Sequence, residues 1–336
     1  MPSFQGIEFD HTVDGVTGLL RQLSFTIADD SAIAIANAAL PISCIRVTFT
    51  PGGGLAVGVP FEHRWTPELS NMTQRWLQAW PIFLAARRRY PDATGHTLLC
   101  VNDIPDVPGL AFSGNGTGSL LIPDADFIRH QGYAALRRFA RHAGQAWNSR
   151  RDQVFWRGSS TGNPVTSNGE AVAAIPRIRL VRVVRAWQRD DLFDVGITQL
   201  VQMDAAAEMI AQGYDIMATP VPQEAFGQYR HALDIDGNTS SWAGLFAKLL
   251  LGSTVLKIDS ALGHRQWFYD RLIPFRNFVP VRADLSDLLG AAEWLRHNPI
   301  ASQAIAARGA ELAEAMSFEA EMAAGAARIR ESLRQD

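Results

Sequence analysis

Val154-Phe155-Trp156-Arg157-Gly158-Ser159-Ser160-Thr161-Gly162 sets a short apolar run directly against a polar turn that carries two glycines. The apolar half reads as a buried strand and the polar half as the loop that leaves it. After Pro176, the spacing of Leu180, Val183, Val184 and Trp187 predicts a helix, so the segment runs strand, loop, helix. The same order returns downstream. His231-Ala232-Leu233-Asp234-Ile235-Asp236-Gly237 predicts a strand with a glycine stop. Ser240 or Ser241 is placed to cap a helix from Trp242 to Leu251 that ends at Gly252. Thr254-Val255-Leu256-Lys257-Ile258 and Phe278-Val279-Pro280-Val281 predict further strands, and Asp284 to Leu295 and Ala301 to Met316 predict helices. Strands that alternate with helices imply parallel sheets.

Upstream, residues 1–60 are rich in Val, Ile, Thr and Gly, with strand-like runs such as Ile45-Arg46-Val47-Thr48-Phe49 and a turn at Pro51-Gly52-Gly53-Gly54. Thr66 to Arg89 reads as a helix, with Thr66 as cap, Pro67 in the first turn, and an apolar stripe of Met72, Trp76, Trp80, Phe83 and Leu84. Thr97-Leu98-Leu99-Cys100-Val101 predicts a buried strand that ends at Asn102-Asp103-Ile104-Pro105, where proline turns the chain out of regular structure. Another helix is expected between Asp126 and Trp147. The polar stretch from Arg150 to Gln153 marks a boundary. The expected organisation is therefore an α/β domain over 1–150, a second over 151–315, and a terminal helix over 316–336 that packs back on the first. In such folds ligand binds in the crevice beyond the carboxyl ends of the strands.

The chain has 336 residues, of which 47% are apolar and 19% charged, so each domain can bury a core. A net charge of -3 supplies no global field for nucleic acid or an anionic membrane. Basic clusters at Arg87-Arg88-Arg89, at Arg137-Arg138 with Arg141, and at Arg150-Arg151 read as solvated helix faces, with peripheral membrane contact or an anionic acceptor as the lesser reading. Two cysteines, Cys44 and Cys100, allow one disulfide but neither a framework nor a structural zinc site, and a reducing compartment fits. There is no secretory signal after Met1 and no apolar run of membrane-spanning length, so the expectation is a cytoplasmic protein.

Arg157-Gly158-Ser159-Ser160-Thr161-Gly162 brings a cation, hydroxyls and open backbone N–H groups together after a strand, as a diphosphate requires. An ordinary polar turn fits the same residues. Asp236-Gly237-Asn238-Thr239-Ser240-Ser241-Trp242 has the same two readings, a phosphate junction or a well-capped helix start. Asp103 sits where a general base would stand, or is a turn aspartate. The Asp124-Ala125-Asp126 and Asp234-Ile235-Asp236 triplets suit capping better than metal binding, so no obligatory metal or other cofactor is expected. Gly114-Asn115-Gly116-Thr117-Gly118 is a loop, not the Gly-x-Gly-x-x-Gly dinucleotide fingerprint, which disfavours an oxidoreductase.

Taken in order, five segments resemble glycosyltransferase family 90, the capsule-associated-protein type that includes Rumi-type O-glucosyltransferases and bacterial lipopolysaccharide glycosyltransferases. They are Val101 to Pro108, Phe155 to Gly162, Asp236-Gly237 through Ser253, Leu272-Ile273-Pro274 through Val281, and Asp284 to Leu288. The resemblance implies a GT-B-like architecture of two facing Rossmann-like α/β domains with the active site in the cleft between them. It also implies metal-independent, inverting transfer of glucose or xylose from a UDP-sugar to a glycan or lipid-linked hydroxyl acceptor. The family's base falls on Asp103, its Arg-Gly-Ser loop on Arg157 to Thr161, and its diphosphate-binding arginine on Arg177, with Arg179 next in line. The chain departs from the family pattern at Ser241-Trp242-Ala243, where Ser-x-Arg is usual, and at Asn277, where His is frequent. The competing class is a nucleotide-sugar- or carbohydrate-binding protein without turnover.

Overall fold

The computed structural model describes residues 33–37, 40–41, 43–59, 67–105, 107–116, 118–162 and 169–334. In chain order the first elements are β1 (Ile33–Asn37), β2 (Cys44–Phe49), β3 (Leu55–Val59), α1 (Pro67–Arg89), β4 (Gly95–Cys100), β5 (Leu110–Ala111), β6 (Leu120–Leu121), α2 (Ala125–Arg129) and α3 (Ala134–His142). There follow β7 (Arg151–Ser159), α4 (Gly169–Ala174), α5 (Pro176–Ala186), β8 (Phe193–Gln199), α6 (Ala205–Gln212), β9 (Tyr229–Asp234), α7 (Ala243–Leu250) and β10 (Thr254–Ile258). The last are β11 (Val279–Val281), α8 (Leu288–His297), α9 (Pro299–Ala315) and α10 (Phe318–Ser332). Two compact units result, Met1–Arg129 with Phe318–Asp336, and His130–Ser317. The division lies ahead of the polar stretch at residue 150 because α3 packs against α7, within the second unit.

In the first unit the sheet order is β1-β3-β2-β4-β5-β6. It is mixed: β2 runs antiparallel to β3 and β4, and the remaining pairs are parallel. The turn at Pro51–Gly53 is too short to return the chain parallel, which fixes the direction of β3. Helix α1 buries Trp76, Trp80, Phe83 and Leu84, four of the residues in the predicted stripe. Thr66, the expected cap of α1, lies outside the described residues, as do Asp106 and Thr117. Helix α10 packs along α1. A Cβ on Gly325 would sit 2.3 Å from Ile82 Cδ1, so the glycine sets how close these helices come. Cys44 and Cys100 pair across β2 and β4, with sulfurs 3.0 Å apart and no disulfide between them.

The basic clusters are partly structural. Arg87 is buried and donates to the carbonyls of Thr50, Gly54, Pro91 and Ala93, so it is not on a solvated face. In the second unit Arg137 is likewise buried and donates to the carbonyls of Gly132, Ala313 and Met316. A guanidinium has five donors in a rigid fork, which lets it gather chain-end carbonyls that would otherwise be buried unpaired.

The second unit carries a five-stranded sheet in the order β11-β10-β9-β7-β8, parallel throughout. The chain goes outward from β7 to β8, returns across β7 to β9, and then proceeds through β10 to β11. The order therefore reverses between β7 and β9, and the crevice at their carboxyl ends is the topological switch point. Helices cover the sheet, and β10 is buried at all five positions, including Lys257. Helix α7 ends in a Schellman motif, with Gly252 at φ 72° and bonds from Gly252 N to Leu249 O and from Ser253 N to Lys248 O. Strand β8 is absent from the expectations above because Asp194 and Gln199 interrupt its apolar run. No helix among the described residues is long and apolar enough to cross a membrane.

Candidate active site

The switch point is formed by the loop after β7 and the loop after β9, and Arg177 in the first turn of α5 ties them together. Its Nε donates to Asp236 O at 2.9 Å, and one terminal nitrogen donates to Thr161 Oγ1 at 2.6 Å and to Ser159 O at 3.3 Å. The other terminal nitrogen donates to Ile235 O at 3.2 Å. Pro176 at the head of α5 and the buried Ile178 fix where the arginine leaves the helix. The loops also meet directly, because Gly162 N donates to Asn238 Oδ1 at 3.1 Å. Only glycine fits at Gly237, where a Cβ would lie 2.7 Å from Thr161 Oγ1 and 3.0 Å from the Arg177 guanidinium. Burial pulls the Arg177 guanidinium below its ordinary pKa, with Asp234 and Asp236 acting the other way.

Arg157 is held on the sheet. Its guanidinium pairs with Asp194 Oδ1 at 2.6 Å and stacks over Phe155, while Tyr229 Oη donates to the other Asp194 oxygen at 2.7 Å. Ser160 is buried and bonds both the carbonyl and the N–H of Val201, so its hydroxyl is committed to the loop. Ser159 and Gly158 line a cleft. Arg179 is exposed and donates to Asp284 O at 2.8 Å.

At the second junction, Thr239 and Ser240 are buried, and their hydroxyls have no hydrogen-bond partner among the described residues. Ser241 Oγ accepts from Leu245 N at 3.1 Å and donates to Asp234 Oδ1 at 2.6 Å, so it closes the first turn of α7. Trp242 has φ 50° and ψ -126°, a combination that costs an L-residue of order 1–3 kcal/mol and occurs mostly at functional sites. Asp234 is fully buried and receives Lys248 Nζ at 2.8 Å, with Lys257 Nζ at 3.7 Å from its other oxygen. Burial pushes the Asp236 carboxyl up to about 6, against the pull of Lys257 and Ser260.

Two clefts open at these strand ends. One, of about 300 Å³, is lined by Gly162, Asp236, Gly237, Asn238 and Arg179, with Ile258, Ser260 and Leu285 on the far side. The other, of about 340 Å³, is lined by Arg157, Gly158, Ser159, Arg177, Ser241 and Lys248. Each is of the size that holds a nucleotide or part of one. Lys248, Ser260 and Leu285 were not among the expected site residues. Lys248 stands in the apolar run Leu245–Leu251, where spacing alone marks no cation as a site residue.

In the first unit Asp103 lies three residues past β4. Its carboxylate pairs with Arg75 at 3.0 Å, and Arg75 also donates to Val101 O at 2.9 Å, which orients the group at the strand exit. Its backbone N–H bonds Asn102 Oδ1 at 2.8 Å. Asp124 is buried and accepts from Phe127 N at 2.7 Å, a helix-capping role for the first Asp-x-Asp triplet. Among the described residues no group of three or more His, Cys, Asp or Glu side chains is placed to hold a metal ion.

The doubly wound parallel sheet thus sets basic and hydroxyl side chains at its switch point, where folds of this kind bind ligands. The chain belongs to glycosyl transferase family 90, whose model matches residues 133–320, more than half of it. Over 183 residues it is 32% identical to an uncharacterised protein, 027R, of Frog virus 3, covering 49% of this chain and 18% of that protein. It is 26% identical to protein O-glucosyltransferase 2 of Danio rerio over 173 residues, 51% of this chain and 30% of the relative. With protein O-glucosyltransferase 3 of Rattus norvegicus it shares 24% over 224 residues, 62% of this chain and 38% of the relative. The chain thus spans less than two-fifths of the length of these relatives. Among solved structures, S. aureus TarM with fondaparinux, alpha-GlcNAc-glycerol and UDP aligns at TM-score 0.37 and 11% identity, over 55% of this chain and 36% of that one.

Proposed function

We propose that this chain is a glycosyltransferase that moves a sugar from a UDP-sugar to a hydroxyl acceptor with inversion and without a metal. The observation that carries the reading is the Arg177 clamp, which ties the loops after β7 and β9 together at the switch point. The O-glucosyltransferase relatives support glucose as the donor sugar, and xylose is proposed beside it on the family resemblance. The acceptor is proposed to be a lipopolysaccharide or other surface-glycan intermediate, met on the cytoplasmic side.

In the proposed reaction the acceptor hydroxyl gives its proton to the Asp103 carboxylate as its oxygen bonds to the anomeric carbon. The bond from that carbon to the diphosphate oxygen breaks, and UDP leaves with the electron pair. Preorganised donors at the switch point stabilise the charge that develops on UDP, usually a large part of catalysis. Arg177 acts here as a positioning residue, because its guanidinium is spent on loop carbonyls and on Thr161.

The test is UDP release from a panel of UDP-sugars, UDP-glucose and UDP-xylose first, with surface-glycan fragments as acceptors. Acceptor-dependent release is expected. Tight UDP binding with no release on any combination would place the chain instead among non-catalytic nucleotide-sugar-binding proteins.

A further inference from the structure

Lys248 is buried in the middle of α7, yet its ammonium reaches the first turn of that helix. Side chains on a helix lean toward its N-terminus, so a residue covers the position four before it. For Lys248 that position is Gly244, and a Cβ there would lie 3.3 Å from Nζ. The missing side chain therefore gives the ammonium its place beside Ser241, on the wall of the cleft that also holds Arg157, Gly158, Ser159 and Arg177.

A cation in the first turn opposes the helix dipole, and burial adds a desolvation cost. Asp234 offsets part of this by accepting from Nζ at 2.8 Å. Two of the three ammonium protons remain, with Phe226 alongside at 5.5 Å as an aromatic contact. Asp234 is itself shared, since Lys257 lies 3.7 Å from its second oxygen. Burial lowers the Lys248 pKa, Asp234 raises it, and the charges of Arg177 and Lys257 lower it further. Arg177, Lys248 and Lys257 thus face Asp234 and Asp236, three basic side chains against two acidic ones.

We propose that Lys248 is the diphosphate-binding cation of this chain, its ammonium donating to a phosphate oxygen of the nucleoside diphosphate over Gly244 and the α7 N-terminus. The inference rests on the donor-site reading given above. It also accounts for how the site works with Ala243 in the helix's first turn, because the cation comes from one turn further along the same helix.

Binding of uridine, UMP, UDP and inorganic pyrophosphate by calorimetry tests it. The wild-type chain is expected to prefer UDP to uridine. Lys248→Met should lower UDP affinity by at least about tenfold, the worth of a charge-assisted hydrogen bond, while uridine affinity stays within twofold. Lys248→Arg should keep most of the preference for UDP. Because Lys248→Met strands a buried carboxylate, Asp234→Asn with Lys248→Met serves as the second variant, and it should show the same selective loss. If the wild type binds UDP and the folded variants bind it equally well, the Lys248 assignment is overturned and the donor site stands. If the wild type binds none of the ligands, both are overturned. Pyrophosphate binding that equals UDP binding in strength and in loss would mark a plain phosphate site and overturn the nucleotide assignment.

Discussion

Arg177 donates four hydrogen bonds, to three loop carbonyls and one hydroxyl. Arg177→Ala leaves the carbonyls of Ser159, Ile235 and Asp236 without their donor, and buried groups left unpaired cost about 1–3 kcal/mol each. The variant should therefore lose more than about 2 kcal/mol in urea denaturation without nucleotide, besides losing affinity for UDP. Unchanged stability would mean that the clamp is not what holds the loops. Arg177→Lys should not restore it, because an ammonium cannot reproduce the fork. Asp236 gives a pH signature. Its folded pKa of about 6 lies above the ordinary 3.8, so the folded state holds the proton more tightly. Stability from this group is present below pH 4 and is lost as pH rises through about 6. Asp236→Asn should remove that fall, worth about 2–3 kcal/mol, and parallel stability profiles for the two proteins between pH 4 and 7 would contradict it. At this scale the sequence shows where a strand gives way to a polar loop, as at Arg157 to Gly162 and at Asp103. It was not readable at Lys248, whose place depends on the lean of a helix side chain and on an empty position at Gly244.

Helices and strands were legible wherever their apolar period was clean. Thr254–Ile258 was anticipated to the residue, and the glycine stop of α7 fell at Gly252. Strand β8 was missed because a sheet-edge strand that carries Asp194 and Gln199 has no continuous apolar signal. The mixed sheet of the first unit is hidden for another reason: strand direction depends on connection length and pairing, and the residues of the Pro51–Gly53 turn do not say which strands they join. The α10–α1 contact gives the test at this scale. Gly325→Ala forces a carbon into Ile82, and overpacking of this kind costs about 1–3 kcal/mol. Hydrogen exchange should show α10 opening more readily in the variant. Equal protection in the two proteins would show that the helices separate without cost.

The whole molecule divides into two compact units. One carries Asp103 on the exit of β4, and the other carries a parallel sheet whose switch point gathers arginine, lysine and hydroxyls. The parallel sheet was legible from the alternation of strands and helices, whereas the close meeting of the loops after β7 and β9 needed the strand order. The most direct measurement of the central claim is a comparison of Asp103→Asn with the wild type in acceptor-dependent UDP release, alongside calorimetric UDP affinity. Turnover is expected to fall by about 10²–10⁴, the usual worth of general-base assistance, with UDP affinity unchanged. An Asp103→Asn variant that turns over at the wild-type rate would contradict it.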